Sequence, residues 1–245
     1  MRFSESAQLL GDPNFPQILD SALQGDKIIR YQQLYQIYSR LGLSKAYDRP
    51  TAIGGLQQRL LRTLNVQGGF GVFDEGKNRG LLRRSLLWHR GEKVPSLTRI
   101  VFPADRAAVP SWSWMAYTGG IDYLNLDFSG IQWEGLESPW SRREDGEGDN
   151  ALIADAREYD RHKAAQGEDL LIFDTPAGSD RYKPMCVVLG IRRGSMPRDD
   201  RRHYILLVVP IPNAKGDGTE VFERVGVGYL PGKCIASEAS AVHIH

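Results

Sequence analysis

Only two cysteines occur in the 245 residues, Cys186 and Cys234. Two thiols cannot form the dense disulfide framework of a small secreted domain, so a reducing compartment is the expected setting. Long apolar runs are missing as well, and nothing approaches the ~20 residues that a membrane helix needs. The opening "MRFSESAQLLGDPNFP" has one early arginine, acidic residues and no apolar segment, which is not the pattern of a secretory signal. Charge bias is also lacking. Thirty-one Lys and Arg stand against thirty Asp and Glu, for a net charge of +1, so the basic field of a nucleic-acid binder is absent. These absences predict a soluble, cytoplasmic protein with neither a membrane nor a nucleic-acid partner.

The usual reactive motifs are missing too. Five histidines are scattered as His89, His162, His203, His243 and His245. Only the terminal "HIH" pairs two, which would face the same way on an extended tail. It reads as a frayed end that picks up metal adventitiously, so no metal site is expected. Ser111 and Ser113 lack the Gly-x-Ser-x-Gly elbow that exposes a catalytic serine. "GGFGVF" and "RVGVGYLPGK" fit neither the dinucleotide fingerprint nor the phosphate loop, so no cofactor is expected. Cys186 lies in an apolar strand, where burial keeps a thiol protonated; Lys233 beside Cys234 favours a thiolate there. "ADAREYDRH" gathers Asp155, Glu158, Asp160 and His162, and reads as a solvated loop or helix face.

What is present is periodicity. In "DKIIRYQQLYQIYSRLGL", Tyr31, Leu34, Tyr35, Tyr38 and Leu41 recur three and four apart, predicting a helix with Asp26 at its start and Gly42 at its end. "DRPTAIGGLQQRLLRTLN" predicts a second, with a stripe of Ile53, Leu56, Leu60, Leu61 and Leu64, Asp48 as N-cap and Pro50 in the first turn. "QGGFGVFDEGKNRG" reads as a loop, and "LLRRSLLWHR" as a short third helix with Leu82, Leu86 and Trp88 or His89 turned inward. After about Pro95 the period drops to two. Ser111–Tyr117 alternates, which predicts a strand with Trp112, Trp114 and Ala116 on one face. Gly119–Gly120 predicts a hairpin turn returning through "IDYLNLDF". "GIQWEGL", "DLLIFD", "KPMCVVLGIRR", "RHYILLVVPIP" and "EVFERVGVGYL" are further strands, and the unbroken apolar runs of "MCVVLGI" and "YILLVV" suit burial on both faces. The fold class is therefore α+β: a helical layer over residues 1–95, packed on a mainly antiparallel sheet over residues 96–245, as a sandwich or partly closed barrel, in one cooperative domain.

Several of these stretches together resemble one family. Tyr38–Ser39, Asp48–Arg49, Ala52 and Gly55, Leu86–Leu87–Trp88, Pro110–Trp114 ("PSWSW") and Glu223–Gly226 ("ERVG") occur in the order found downstream of the HET domain in fungal heterokaryon-incompatibility proteins. The resemblance spans most of residues 27–232. Pro50 departs from it, standing where the family often has leucine. So does the lack of the TIR-like HET module, which is thought to trigger cell death and has no counterpart in these residues. The resemblance thus implies a regulatory or partner-recognition region that binds a protein, without the effector.

A rival reading keeps the scaffold but makes it a small-molecule enzyme of the secondary-metabolite kind. An aromatic pocket of Trp112, Trp114, Tyr117 and Tyr123 would then hold an apolar ligand, with Asp48, His89, Asp122 or Glu134 supplying protons. The bland reading of the paired indoles is a core ridge joining sheet to helices.

Overall fold

The computed structural model describes residues 24–76, 80–141, 149–175, 183–212 and 220–245. Helix takes 26% and strand 33% of the structure and the sheets are mainly antiparallel, so the chain is α+β. Helices α1 (Gln24–Ser39), α2 (Arg49–Leu64) and α3 (Leu81–Leu86) come first, with the hairpin β1 (Gln67–Gly69) and β2 (Val72–Asp74) between the last two. Short strands follow as β3 (Trp88–Arg90), β4 (Thr98–Arg99), β5 (Tyr117–Thr118), β6 (Ile121–Tyr123) and β7 (Ile131–Trp133). The longer ones are β8 (Leu152–Arg157), β9 (Leu170–Phe173), β10 (Met185–Arg192), β11 (Arg202–Pro210), β12 (Val221–Pro231) and β13 (Ser240–Ile244). Among the described residues no helix is long and apolar enough to cross a membrane.

Five of the longer strands close on themselves. β10 pairs with β11 and β8, β8 with β13, β13 with β12, and β12 returns to β11. The pairs are antiparallel except β12–β13, which is parallel. A closed ring leaves fewer free edges for another chain to join. β7 and β9 extend it, on β10 and β12 respectively. Alternate side chains from all five ring strands meet in one cluster that includes Leu152, Val187, Leu206, Val227 and Val242. On the opposite face of β10–β12, Cys186, Ile205, Leu207 and Leu230 form another, which is why residues 203–209 of β11 are buried without a break.

The helices do not lie on this barrel as a simple layer. α1 and α2 bury Tyr31, Leu34, Tyr35, Ile53 and Leu60 in a separate core with Phe73, Trp88, Leu97, Trp114 and Ile121, to which no barrel strand contributes. Three segments straddle the cores, the first being β2, with Val72 in the barrel core and Phe73 in the helical one. α3 puts Leu81 into the helical core and Leu82 and Leu86 into the barrel core. The stretch 110–114 does the same with its indoles: Trp112 enters the barrel core and Trp114 the helical one.

Several sequence expectations need correcting. Ser111–Tyr117 is not a strand, because Ser113 caps a single 3-10 turn at Trp114–Ala116 by accepting a hydrogen bond from Met115 N at 3.0 Å. That turn points the two indoles into different cores instead of along one face. Gly119–Gly120 does not close a hairpin: β5 pairs with β4, and β6 with β3. The glycine-rich stretch at 67–74 is the β1–β2 hairpin, while residues 77–79 lie outside the described residues. The third helix stops at Leu86, and Trp88–Arg90 is strand. α1 ends at Ser39, so Leu41 falls beyond its buried face and is 48% exposed. Asp26 sits inside the first turn of α1. Asp48 is the N-cap of α2, but its side chain makes no capping hydrogen bond. Finally, the tail is not frayed; it is strand β13, paired on both sides.

Candidate functional site

The junction between the two cores is built from polar groups. Arg224 projects from β12 on the same side as Phe222, and its side chain is completely buried. Its guanidinium donates to Asp174 Oδ2 at 3.0 Å and Oδ1 at 3.1 Å, and to the Leu86 carbonyl at 2.9 Å. It also donates to the Trp88 carbonyl, and it lies 3.1 Å over the Trp88 ring. The backbone N of Arg224 donates to Ser111 Oγ at 2.9 Å, and Trp88 Nε1 donates to the Trp112 carbonyl at 2.9 Å. Two residues on, a Cβ at Gly226 would come within 2.4 Å of the Ile172 carbonyl, so only glycine lets β9 approach β12 there. Four of the five guanidinium N–H groups are thereby taken up in a buried ion pair that holds chain segments together.

The aromatic residues proposed as a ligand pocket are core. Trp112 and Trp114 have no exposed surface, Tyr117 is buried and Tyr123 is half-buried. Phe70 and Trp140 pack edge-on against Trp112, while Tyr35 and Tyr38 pack against Trp114. None of the four surface grooves described is lined by Trp112, Trp114, Tyr117 or Tyr123. Burial pushes the Tyr117 hydroxyl up to about 12 and holds that of Tyr123 well above its ordinary value. Neither phenol is poised to give or take a proton near neutrality.

The four acid–base candidates separate. His89 and Asp122 sit opposite each other across β3 and β6. Asp122 there accepts from Arg40 Nη2 at 2.7 Å, and His89 donates from Nδ1 to its neighbour's carbonyl, Arg90 O, at 2.7 Å. Burial lowers the His89 pKa. Asp48 instead pairs with Arg106 at 2.8 Å, and Glu134 with Arg198 at 3.1 Å. The sulfur candidates are quiet: burial pushes the Cys186 thiol up to about 12 and also raises Cys234, while Lys233 is drawn to Glu168 at 2.9 Å. Asp155 faces outward from β8, and Glu158, Asp160 and His162 are solvent-exposed, as expected of a solvated cluster.

One groove was not foreseen. It has a volume of about 770 Å³ and is lined by four acids, Glu134, Asp155, Asp199 and Glu238, and four bases, Arg157, Lys163, Arg198 and Lys233. The balance rules out a strong field of one sign. His203 stands at its wall, buried, with Nδ1 2.9 Å from the Arg201 carbonyl, and burial lowers its pKa. Its position in the apolar run of β11 carried no signal in the sequence. Arg224 did leave one, since alternation places it on the face of Phe222. Compared with family models, curated proteins and solved structures, the chain matches none.

Proposed function

We propose that this chain is a regulatory or partner-recognition region of the heterokaryon-incompatibility type, acting inside the cell by binding a protein. One observation carries the reading: the stretches on which the resemblance stands touch one another. Arg224 of "ERVG" joins Leu86 and Trp88 of "LLW" to Ser111 of "PSWSW". Tyr38 Oη donates to the Arg49 carbonyl at 3.2 Å, and Arg49 donates back to the Ser39 carbonyl. Residues that look like scattered motifs are therefore the joints of one scaffold, which we read as a single cooperative unit. Recognition falls to the surface, where the mixed-charge groove suits a partner bearing both signs.

The test is co-expression with HET effector modules in a fungal host, read as cell viability. The wild-type chain should suppress or provoke killing by at least one module. The charge reversals Arg198→Glu and Lys233→Glu together should abolish that effect while leaving the thermal midpoint in place. Indifference of every module to the chain, or an undiminished effect of the reversed groove, would overturn the proposal.

A further inference from the structure

We propose that Asp149, His243 and His245 form a binding site for a divalent transition-metal ion of the zinc class, on the outer face of the barrel. β13 is held between β8 and β12, so its side chains alternate strictly. Val242 and Ile244 point inward with no exposed surface, which sends His243 and His245 outward on one face. Their backbone is fixed as well: His243 N donates to the Glu220 carbonyl at 3.2 Å and His245 N to the Phe222 carbonyl at 3.0 Å. Asp149 comes from the segment that leads into β8, where its Oδ1 accepts from Ala151 N at 2.9 Å.

The indole-bearing stretch aligns both halves of this group. Trp112 Nε1 donates to the Asn150 carbonyl at 3.0 Å, next to Asp149, and Ser111 Oγ donates to the His245 carbonyl. One donor atom from each of Asp149, His243 and His245 lies within 4.8 Å of the others. His245 Nδ1 and Asp149 Oδ1 are 3.3 Å apart, close to the edge of a tetrahedron with bonds of ~2.0 Å. An Asp–His ion pair accounts for two of the three side chains. It leaves the His243 imidazole, which makes no hydrogen bond among the described residues, unexplained.

Two imidazoles and a carboxylate favour zinc, cobalt or nickel over magnesium or calcium, which prefer all-oxygen shells. Three protein ligands leave a coordination position for water. An ion can enter directly, because the side chains of His245 and Asp149 are 39% and 45% exposed.

The purified full chain should bind one Co²⁺ or Zn²⁺ with micromolar affinity in calorimetry, and give no heat with Mg²⁺ or Ca²⁺. In the wild-type protein, Co²⁺ should broaden the imidazole NMR signals of His243 and His245 and spare those of His89, His162 and His203. This readout needs no variant, so it decides the matter even if a substitution prevents folding. Asp149→Asn and His243→Ala should each weaken binding by about tenfold or more, since even outer-shell changes act on that scale. Absence of saturable binding, broadening at the other histidines first, or full affinity in Asp149→Asn would overturn the site.

Discussion

Arg224 and Asp174 show what a single residue does in this protein. A guanidinium with no exposed surface is tolerable only because Asp174 and the carbonyls of Leu86 and Trp88 take up its donors. Removing one partner leaves the other charge stranded, and such losses cost about 3–5 kcal/mol. Asp174→Ala should therefore destabilise the fold by that amount, measured by urea denaturation. The double variant Asp174→Leu/Arg224→Met should recover part of the loss, because no buried charge remains. Recovery will be incomplete, as the Leu86 and Trp88 carbonyls lose their donor. Additive single and double effects would show that the two side chains do not act as a pair. Arg224 was legible from the sequence in position but not in role: alternation with Phe222 aims it inward, yet its partner lies fifty residues away and no local rule names it.

At the scale of elements, the β1–β2 hairpin turns on Phe70 and Gly71, both in the left-handed region with φ of 53° and 77°. Ser113 Oγ donates to the Phe70 carbonyl at 2.7 Å, and a Cβ at Gly71 would fall 2.1 Å from Trp114 Nε1. Gly71→Ala thus adds a clash to backbone strain and should cost roughly 2–4 kcal/mol. Gly130→Ala is the control, with φ of 83° but open space around it, and should cost only the strain of about 1–2 kcal/mol. Equal losses in the two variants would mean that the indole yields and the contact is not tight. The same hairpin explains a sequence misreading. Glycine clusters signal turns, and here the turn is real, but its strands are only three residues long and are tied to α3 as well as to the 110–114 stretch. That stretch misled in turn, since Ser113 bonding to its own backbone defeats an alternation that composition alone would allow. The helices and the long strands β10–β12 were readable because their periodicity persists over many residues. β13 was not, because its pairing with β8 and β12 is set by distant chain. Of the candidate site residues, the indoles were legible as core, whereas the groove around His203 had no local signature.

Across the whole molecule, burial has been imposed on titratable groups of opposite kinds, and each sets a limit to the stable pH range. His89 and His203 have pKa values lowered by burial from the ordinary 6.5. The unfolded chain therefore takes up protons at these two sites before the folded one does. Their contribution is fully present above about pH 6.5 and is lost as pH falls toward their folded values. Tyr31 and Tyr117 are pushed up to about 12, and Tyr35 and Tyr123 lie well above the ordinary 10.0, with burial the main cause in each. Here the folded chain holds its protons longer, and so does the Cys186 thiol, raised by burial from the ordinary 9.0 to about 12, so stability persists up to about pH 9 and is lost as pH rises beyond it. Urea midpoints measured from pH 5 to pH 11 should give a plateau between those limits with a fall on each side. His89→Gln combined with His203→Gln should flatten the acid limb and leave the alkaline one unchanged, because the phenols belong to the helical core and its rim. Tyr35→Phe removes a buried hydroxyl with no hydrogen-bond partner among the described residues, so it should flatten part of the alkaline limb without loss of stability at pH 8. An alkaline limb identical in Tyr35→Phe and wild type would show that this phenol titrates in the folded protein as it does in water, and that the helical core is open to solvent at its centre.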